Sequence, residues 1–182
     1  MAFRTLIPRQ EIDKRTRELG ELISADLAGH EIIALCVLKG GVFFACDLVR
    51  AMSVDVALDF IQVSSYGDRK SSSGVVTILK EPQLDMRGKA VLIVEDIIDS
   101  GLSMREVYKY IEGRGAAVVR VATCLDKPAS RRVPFVPDYV GFTIEPHFVV
   151  GYGLDYGEKY RNLHDIMILV DDEATTAETP SG

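Results

Sequence analysis

With 182 residues, 47% of them hydrophobic, the chain is long enough to bury one sizeable core but short for two, so a single domain over residues 1–170 is expected. Lysine and arginine number 21 against 27 aspartates and glutamates, a formal net charge of −6 that disfavours a mainly electrostatic grip on nucleic acid. No apolar run approaches the roughly 20 residues of a membrane span, so no membrane partner is expected.

From Ile12 the apolar positions Ile12, Leu19, Leu22 and Ile23 recur at helical spacing between Pro8 and Gly29, which predicts a first helix. The run Ile32 to Leu38 reads as a strand, closed by Lys39-Gly40-Gly41 and followed by a helix bearing Phe43, Phe44, Leu48, Val49 and Met52. Val56 to Val63 reads as a strand that leads into the polar loop Ser64 to Gly74, with strand character again from Val75 to Leu79. Ala90 to Val94 is an unbroken apolar run of the kind found in central parallel strands, and it ends at Glu95-Asp96. Met104, Val107, Tyr108 and Ile111 mark one face of a helix, Gly113 and Gly115 stop it, and Ala116 to Leu125 returns as a strand. Further strands are expected at Phe142, Phe148 to Val150 and Ile166 to Val170, and residues 171–182 read as a disordered acidic tail. The alternation predicts an α/β protein with a central, mainly parallel sheet flanked by helices.

Cys36, Cys46 and Cys124 sit singly in apolar stretches without ligand-like spacing, as buried thiols of a reducing cytoplasm would. The opening MAFRTLIPRQ lacks a continuous apolar signal segment, so the expected location is cytoplasmic. His30, His147 and His164 have no spacing suited to a metal or a nucleophile–base pair and are assigned no chemistry.

The chemistry concentrates in Glu95 to Ser103. Two carboxylates at the carboxyl edge of a parallel sheet lie where open α/β folds bind ligands. Ser100-Gly101-Leu102-Ser103 then enters a helix whose free N–H groups and dipole suit a phosphate. Asp99 and Ser100 are also good helix caps, a reading that taken alone accounts for Ser100. It does not account for the whole set of carboxylates and hydroxyls after a fully apolar run.

The run VLIVEDIIDSGLS, Val91 to Ser103, resembles the phosphoribosyl pyrophosphate (PRPP) motif of purine phosphoribosyltransferases of the hypoxanthine-guanine branch. Ser103 stands where threonine is common and keeps the hydroxyl. The resemblance implies the type I phosphoribosyltransferase fold, with a small hood formed by N- and C-terminal segments. It implies that Glu95 and Asp96 bind ribose hydroxyls directly or through Mg²⁺, that Ser100, Gly101, Leu102 and Ser103 hold the 5′-phosphate, and that Asp99 is the catalytic acid/base toward purine N7.

Other segments follow in the family's order from Ile32 to Val170. LKGG matches a loop that contacts pyrophosphate through backbone groups, with Lys39 in the place of its lysine, placing Lys39 and Gly40 in the PRPP site; by itself Lys-Gly-Gly is an ordinary turn. SSYGDRKSSSG resembles the active-site lid, with Ser65 and Tyr66 as its Ser-Tyr pair, although its composition also fits a plain polar loop. LDKP puts Lys127 where the family hydrogen-bonds the exocyclic oxygen of a 6-oxopurine; otherwise it is a surface lysine. FVVGYGLDYGEKYRNL resembles the base-binding segment. There Phe148 would stack on the purine opposite Ile97, Val149 would offer backbone contacts, Asp155 would help hold Mg²⁺ and the base, and Arg161 would meet pyrophosphate. A packed Phe and a surface Asp/Arg pair is the alternative. Two departures, Glu145-Pro146 and His164, touch no implied contact. The resemblance further implies a homodimer or homotetramer using PRPP and a 6-oxopurine, with xanthine preference left open. Regulators that keep this fold while reading nucleic acid are the competing class, and the acidic charge disfavours them.

Overall fold

The computed structural model describes residues 2–65 and 76–170. Tyr66, most of the expected lid and the expected tail lie outside the described residues, and so does the side chain of Ser65.

Among the described residues, nine strands and three α-helices follow one another: β1 (Ala2–Ile7), α1 (Arg9–Asp26), β2 (Ile32–Leu38), α2 (Val42–Ala51), β3 (Val56–Ser65), β4 (Val76–Lys80), β5 (Ala90–Ile98), α3 (Leu102–Glu112), β6 (Val118–Asp126), β7 (Tyr139–Thr143), β8 (Val149–Val150) and β9 (Ile166–Val170). Six strands form the central sheet in the order β4-β3-β2-β5-β6-β7, all parallel except β4. β1, β9 and β8 form a separate antiparallel sheet that joins the two chain ends, the arrangement expected of a hood. The α/β class and the mainly parallel sheet flanked by helices are thus as expected.

Period-two alternation sorts the strand side chains between two cores. Ala90, Leu92 and Val94 of β5 join Ile12, Leu19 and Ile23 of α1 and Phe44 and Leu48 of α2 on one face. Val91 and Ile93 join Met104, Val107 and Ile111 of α3 on the other. A strand buried on both faces has to be apolar at every position, which is why Ala90 to Val94 carries no polar residue. The edge strand β7 is blunted from α1, whose Arg15 guanidinium donates to the carbonyls of Val140 (2.8 Å) and Gly141 (3.1 Å).

The structure corrects two boundaries. β1 precedes the first helix, a strand not anticipated because its register partners, Val170 for Ala2 through Ile166 for Ile7, lie at the far end of the chain. β5 does not end at Glu95-Asp96 but runs to Ile98, held by pairing with β6 from Glu95↔Thr123 to Ile98↔Asp126.

Candidate active site

Pairing of β2 with β5 stops at Cys36↔Val94, while β2 continues beside β3 to Leu38↔Gln62 and β5 continues beside β6 to Ile98↔Asp126. A crevice therefore opens between the carboxyl ends of β2 and β5. From β2 the chain winds toward β3 and from β5 toward β6, so the crevice lies at the topological switch point where α/β sheets bind ligands. Glu95 and Asp96 line it from the β5 side, and Lys39 and Gly40 from the β2 side.

The carboxylates are held by their own strand. Glu95 Oε1 accepts the Asp96 N–H at 3.1 Å, and Asp96 Oδ1 accepts the Ile97 N–H at 2.8 Å. Both side chains keep some surface toward the crevice yet lie deep beneath the surrounding protein. Burial first, and then the adjacent Asp96 carboxylate, pushes the Glu95 carboxyl well above the usual range; burial also raises Asp96, against the pull of its hydrogen bonds and of Arg161. Neither carboxylate has a salt-bridge partner among the described residues. An uncompensated buried acidic pair favours a cation or the hydroxyls of a polyol.

The strand then turns into α3 through Asp99, Ser100 and Gly101. Gly101 is the N-cap with φ 79°, a left-handed conformation that favours glycine, and a Cβ there would press on Arg131, Val133 and Phe135 at 3.3 Å. With glycine at the N-cap, Ser100 stands one residue before it and its hydroxyl accepts from Leu102 N–H only at 3.4 Å. The capping account of Ser100 therefore loses its geometry, and the first turn of α3, whose N–H groups have no partner within the helix, borders the crevice through Ser103 and Met104.

Asp99 is half-exposed, with Oδ2 3.8 Å from Lys127 Nζ. Lys127 is no surface lysine: it is 7% exposed, its N–H donating to the Ile98 carbonyl at 3.0 Å. The turn is braced by Arg131, whose guanidinium donates to the carbonyls of Ile98 (2.7 Å) and Asp99 (2.6 Å) and pairs with Asp126.

The opposite wall is built from tight turns. A Cβ on Gly40 would overlap the Asp96 carboxylate, and Gly153, at φ 100°, packs on the Gly40 carbonyl, so the Lys39–Gly41 loop is clamped between β5 and the segment joining β8 to β9. The peptide joining Leu38 to Lys39 is cis. Asp155 and Arg161 reach the cleft from the β8–β9 segment, paired at 2.8 Å, and Arg161 also donates to the Gly153 carbonyl at 2.7 Å. The segment is pinned to the body through Asp47 of α2, which accepts from Tyr152 Oη at 2.9 Å and from Arg9 at 2.8 Å.

Of the residues singled out by sequence, the cleft lining gathers Lys39, Gly40, Glu95, Asp96, Ile97 and Asp99, then Ser100, Gly101, Ser103, Asp155 and Arg161. Leu102, Lys127, Phe148 and Val149 stand outside that lining; Lys127 joins through Asp99. Phe148 is 51% exposed, its ring edge-on to Tyr156 at 5.5 Å, and the Val149 side chain is buried in the hood opposite Ile168. Two residues escaped the sequence reasoning. Arg131 braces the turn from β5 into α3, and Glu158 bridges Lys39 and Arg161. For Glu158 the only local signal is an acid three residues before an arginine. Cys36 and Cys124 are buried as expected, with both thiols raised by burial, while Cys46 is only half-buried. No helix among the described residues is long and apolar enough to cross a membrane.

The phosphoribosyl transferase domain pattern matches residues 8–157. The chain is 41% identical to the hypoxanthine-guanine phosphoribosyltransferase of Bacillus subtilis over 91% of its own length and 92% of that protein. It is 45% identical to the bifunctional protein TilS/HprT of Listeria innocua over 91% of its length, but spans only 26% of that longer relative. Among solved structures, a hypoxanthine-guanine phosphoribosyltransferase of Bacillus anthracis superposes with TM-score 0.88 at 42% identity, covering 92% of this chain and 98% of that one. The switch-point crevice, with its acidic strand end and glycine-capped turn into α3, is thus seated in a fold and sequence shared along nearly the whole described chain, and the chain belongs to the hypoxanthine-guanine phosphoribosyltransferase family.

Proposed function

We propose that this chain transfers the 5-phosphoribosyl group of PRPP to N9 of hypoxanthine or guanine, releasing pyrophosphate and forming the purine mononucleotide. The observation that carries the reading is one crevice with three chemically distinct walls. It has uncompensated carboxylates at Glu95 and Asp96, a helix N-terminus after Gly101, and cations at Lys39 and Arg161. A sugar bearing a phosphate at one end and a pyrophosphate at the other fits that division of charge.

Breaking the anomeric bond develops positive charge on the ribose, so the protein need supply no nucleophile; it has to orient the base, neutralise the leaving group and exclude water. The Ser100 to Ser103 turn would hold the 5′-phosphate, and Glu95 and Asp96 the ribose hydroxyls. Lys39, the Gly40 backbone and Arg161 would receive pyrophosphate. Lys127 would donate to the exocyclic oxygen of the purine, with Phe148 and Ile97 on its faces, and the Val149 backbone and Asp155 at its edge. Asp99, beside Lys127, would exchange a proton with N7 as N9 attacks.

The donor set fits Mg²⁺. Among the described residues, no three acidic, His or Cys side chains form a metal cage. Mg²⁺ prefers one or two carboxylates, several waters and the substrate's own phosphates. Glu95 and Asp96 would supply those carboxylates; Asp155, whose oxygens already accept from Arg161 and from the Glu158 N–H, has less to give. Bound there, the ion would neutralise charge on the leaving pyrophosphate.

The test is incubation with PRPP, Mg²⁺ and hypoxanthine, guanine or xanthine separately, following nucleotide formation. IMP and GMP are expected. No product with any of the three bases would sink the reading.

A further inference from the structure

Lys39 and Arg161, the cations available to a leaving pyrophosphate, are both occupied by one carboxylate that the family resemblance does not assign. Glu158 Oε1 accepts from Lys39 Nζ at 3.1 Å, and Oε2 accepts from Arg161 at 3.1 Å. The same Arg161 nitrogen is shared with Asp155 at 2.8 Å. Two cations and two carboxylates leave this wall of the crevice electrically balanced, unlike the acidic wall facing it.

The Glu158 carboxylate takes no part in holding its own turn. That turn is closed by the reciprocal main-chain bonds of Tyr156 and Lys159 at 3.1 and 3.2 Å and by the Glu158 N–H donating to Asp155 at 2.8 Å. Left-handed backbone at Gly157 (φ 59°), Glu158 (φ 65°) and Tyr160 (φ 73°) fixes its shape. The side chain itself is 64% exposed, so it can swing into solvent without unmaking any of these contacts.

Resting on the proposed function, we infer that Glu158 is an internal competitor of pyrophosphate. It engages Lys39 and Arg161 in the free protein, yields them when a pyrophosphate group enters, and recaptures them as the group leaves. Exposed ion pairs hold weakly in water. Pyrophosphate offers several charged oxygens to the same donors, including bidentate acceptance from a guanidinium. The exchange therefore favours the ligand, while Glu158 lowers its affinity and eases its departure.

Titration calorimetry of inorganic pyrophosphate with Mg²⁺ into the full chain separates the outcomes. Glu158→Gln and Glu158→Ala are each expected to bind pyrophosphate roughly three- to tenfold more tightly than the wild type. Pyrophosphate inhibition of nucleotide formation should strengthen by the same factor. A disrupted fold does not improve binding, so the expected direction cannot arise from damage. Binding unchanged or weakened in either variant would mean that Glu158 organises the two cations rather than competing for them, and the inference falls. A wild-type protein that binds no pyrophosphate and forms no nucleotide would instead remove the functional reading on which it rests.

Discussion

Two of the crevice walls treat their charges in opposite ways: the acidic pair of β5 and the ion-paired groups facing it. On the β5 wall, Glu95 and Asp96 stand side by side without a salt-bridge partner among the described residues, held by a strand whose preceding residues are fully buried. On the facing wall, Asp155, Glu158 and Arg161 of the β8–β9 segment and Lys39 of the loop after β2 satisfy one another at 2.8 to 3.1 Å. One wall holds adjacent buried carboxyls whose repulsion a proton or a bound cation relieves; the other engages its cations with internal partners that a ligand has to displace. On the proposed function, attraction for substrate and release of product would fall to different pieces of the chain.

The largest effect is expected just beyond the acidic pair. If Asp99 is the proton-exchanging group, Asp99→Asn removes the chemistry while leaving both walls intact, so turnover at saturating substrates should fall by about 10²–10⁴-fold with little change in PRPP affinity. Wild-type turnover in the purified variant would take Asp99 out of that role. A smaller effect is expected where the walls touch. Gly40 lies against the Asp96 carboxylate and under Gly153, so the methyl of Gly40→Ala has to push β5 and the β8–β9 segment apart. Overpacking of this kind costs about 1–3 kcal/mol, and denaturant unfolding together with the KM for PRPP should both report it. If neither moved, the two walls would not be mechanically joined at Gly40.

The β5 wall was legible in the sequence and the facing wall only in part, for a physical reason. An apolar run, two acids and a glycine-bearing helix start are local features, and strand period and helix geometry turn them directly into a site. Even there the end of β5 was misplaced, since pairing of Glu95 to Ile98 depends on Thr123 to Asp126 of another strand. β1 escaped because its partner β9 lies at the opposite end of the chain. Glu158 escaped because its meaning depends on Lys39, 119 residues away. Arg131 and the burial of Lys127 are likewise products of packing, with Arg131 reaching back to carbonyls on the β5 turn. The resemblance to a known family supplied Lys39, Asp155 and Arg161, which no local pattern would have joined to the acidic turn.

The smallest expected effect has an unusual sign and bears most directly on the contrast between the walls. Burial and the Asp96 carboxylate raise the folded-state pKa of Glu95 above its unfolded value. Below the unfolded pKa both states are protonated and nothing is lost. As pH rises from there toward the raised value, the unfolded chain ionises first, so the metal-free protein loses stability across that window. Glu95→Gln has no proton to lose and should escape the penalty. Above the window it should be more stable than the wild type by roughly 0.5–2 kcal/mol, the range common for single stabilising substitutions. The same change withdraws a carboxylate from the ribose and Mg²⁺, so the affinity for PRPP with Mg²⁺ should weaken as stability rises. Thermal unfolding without metal at several pH values, paired with PRPP binding in Mg²⁺, tests both halves. A variant that is less stable than the wild type at neutral pH would show that the acidic wall is internally satisfied after all, and the distinction between the two walls would disappear.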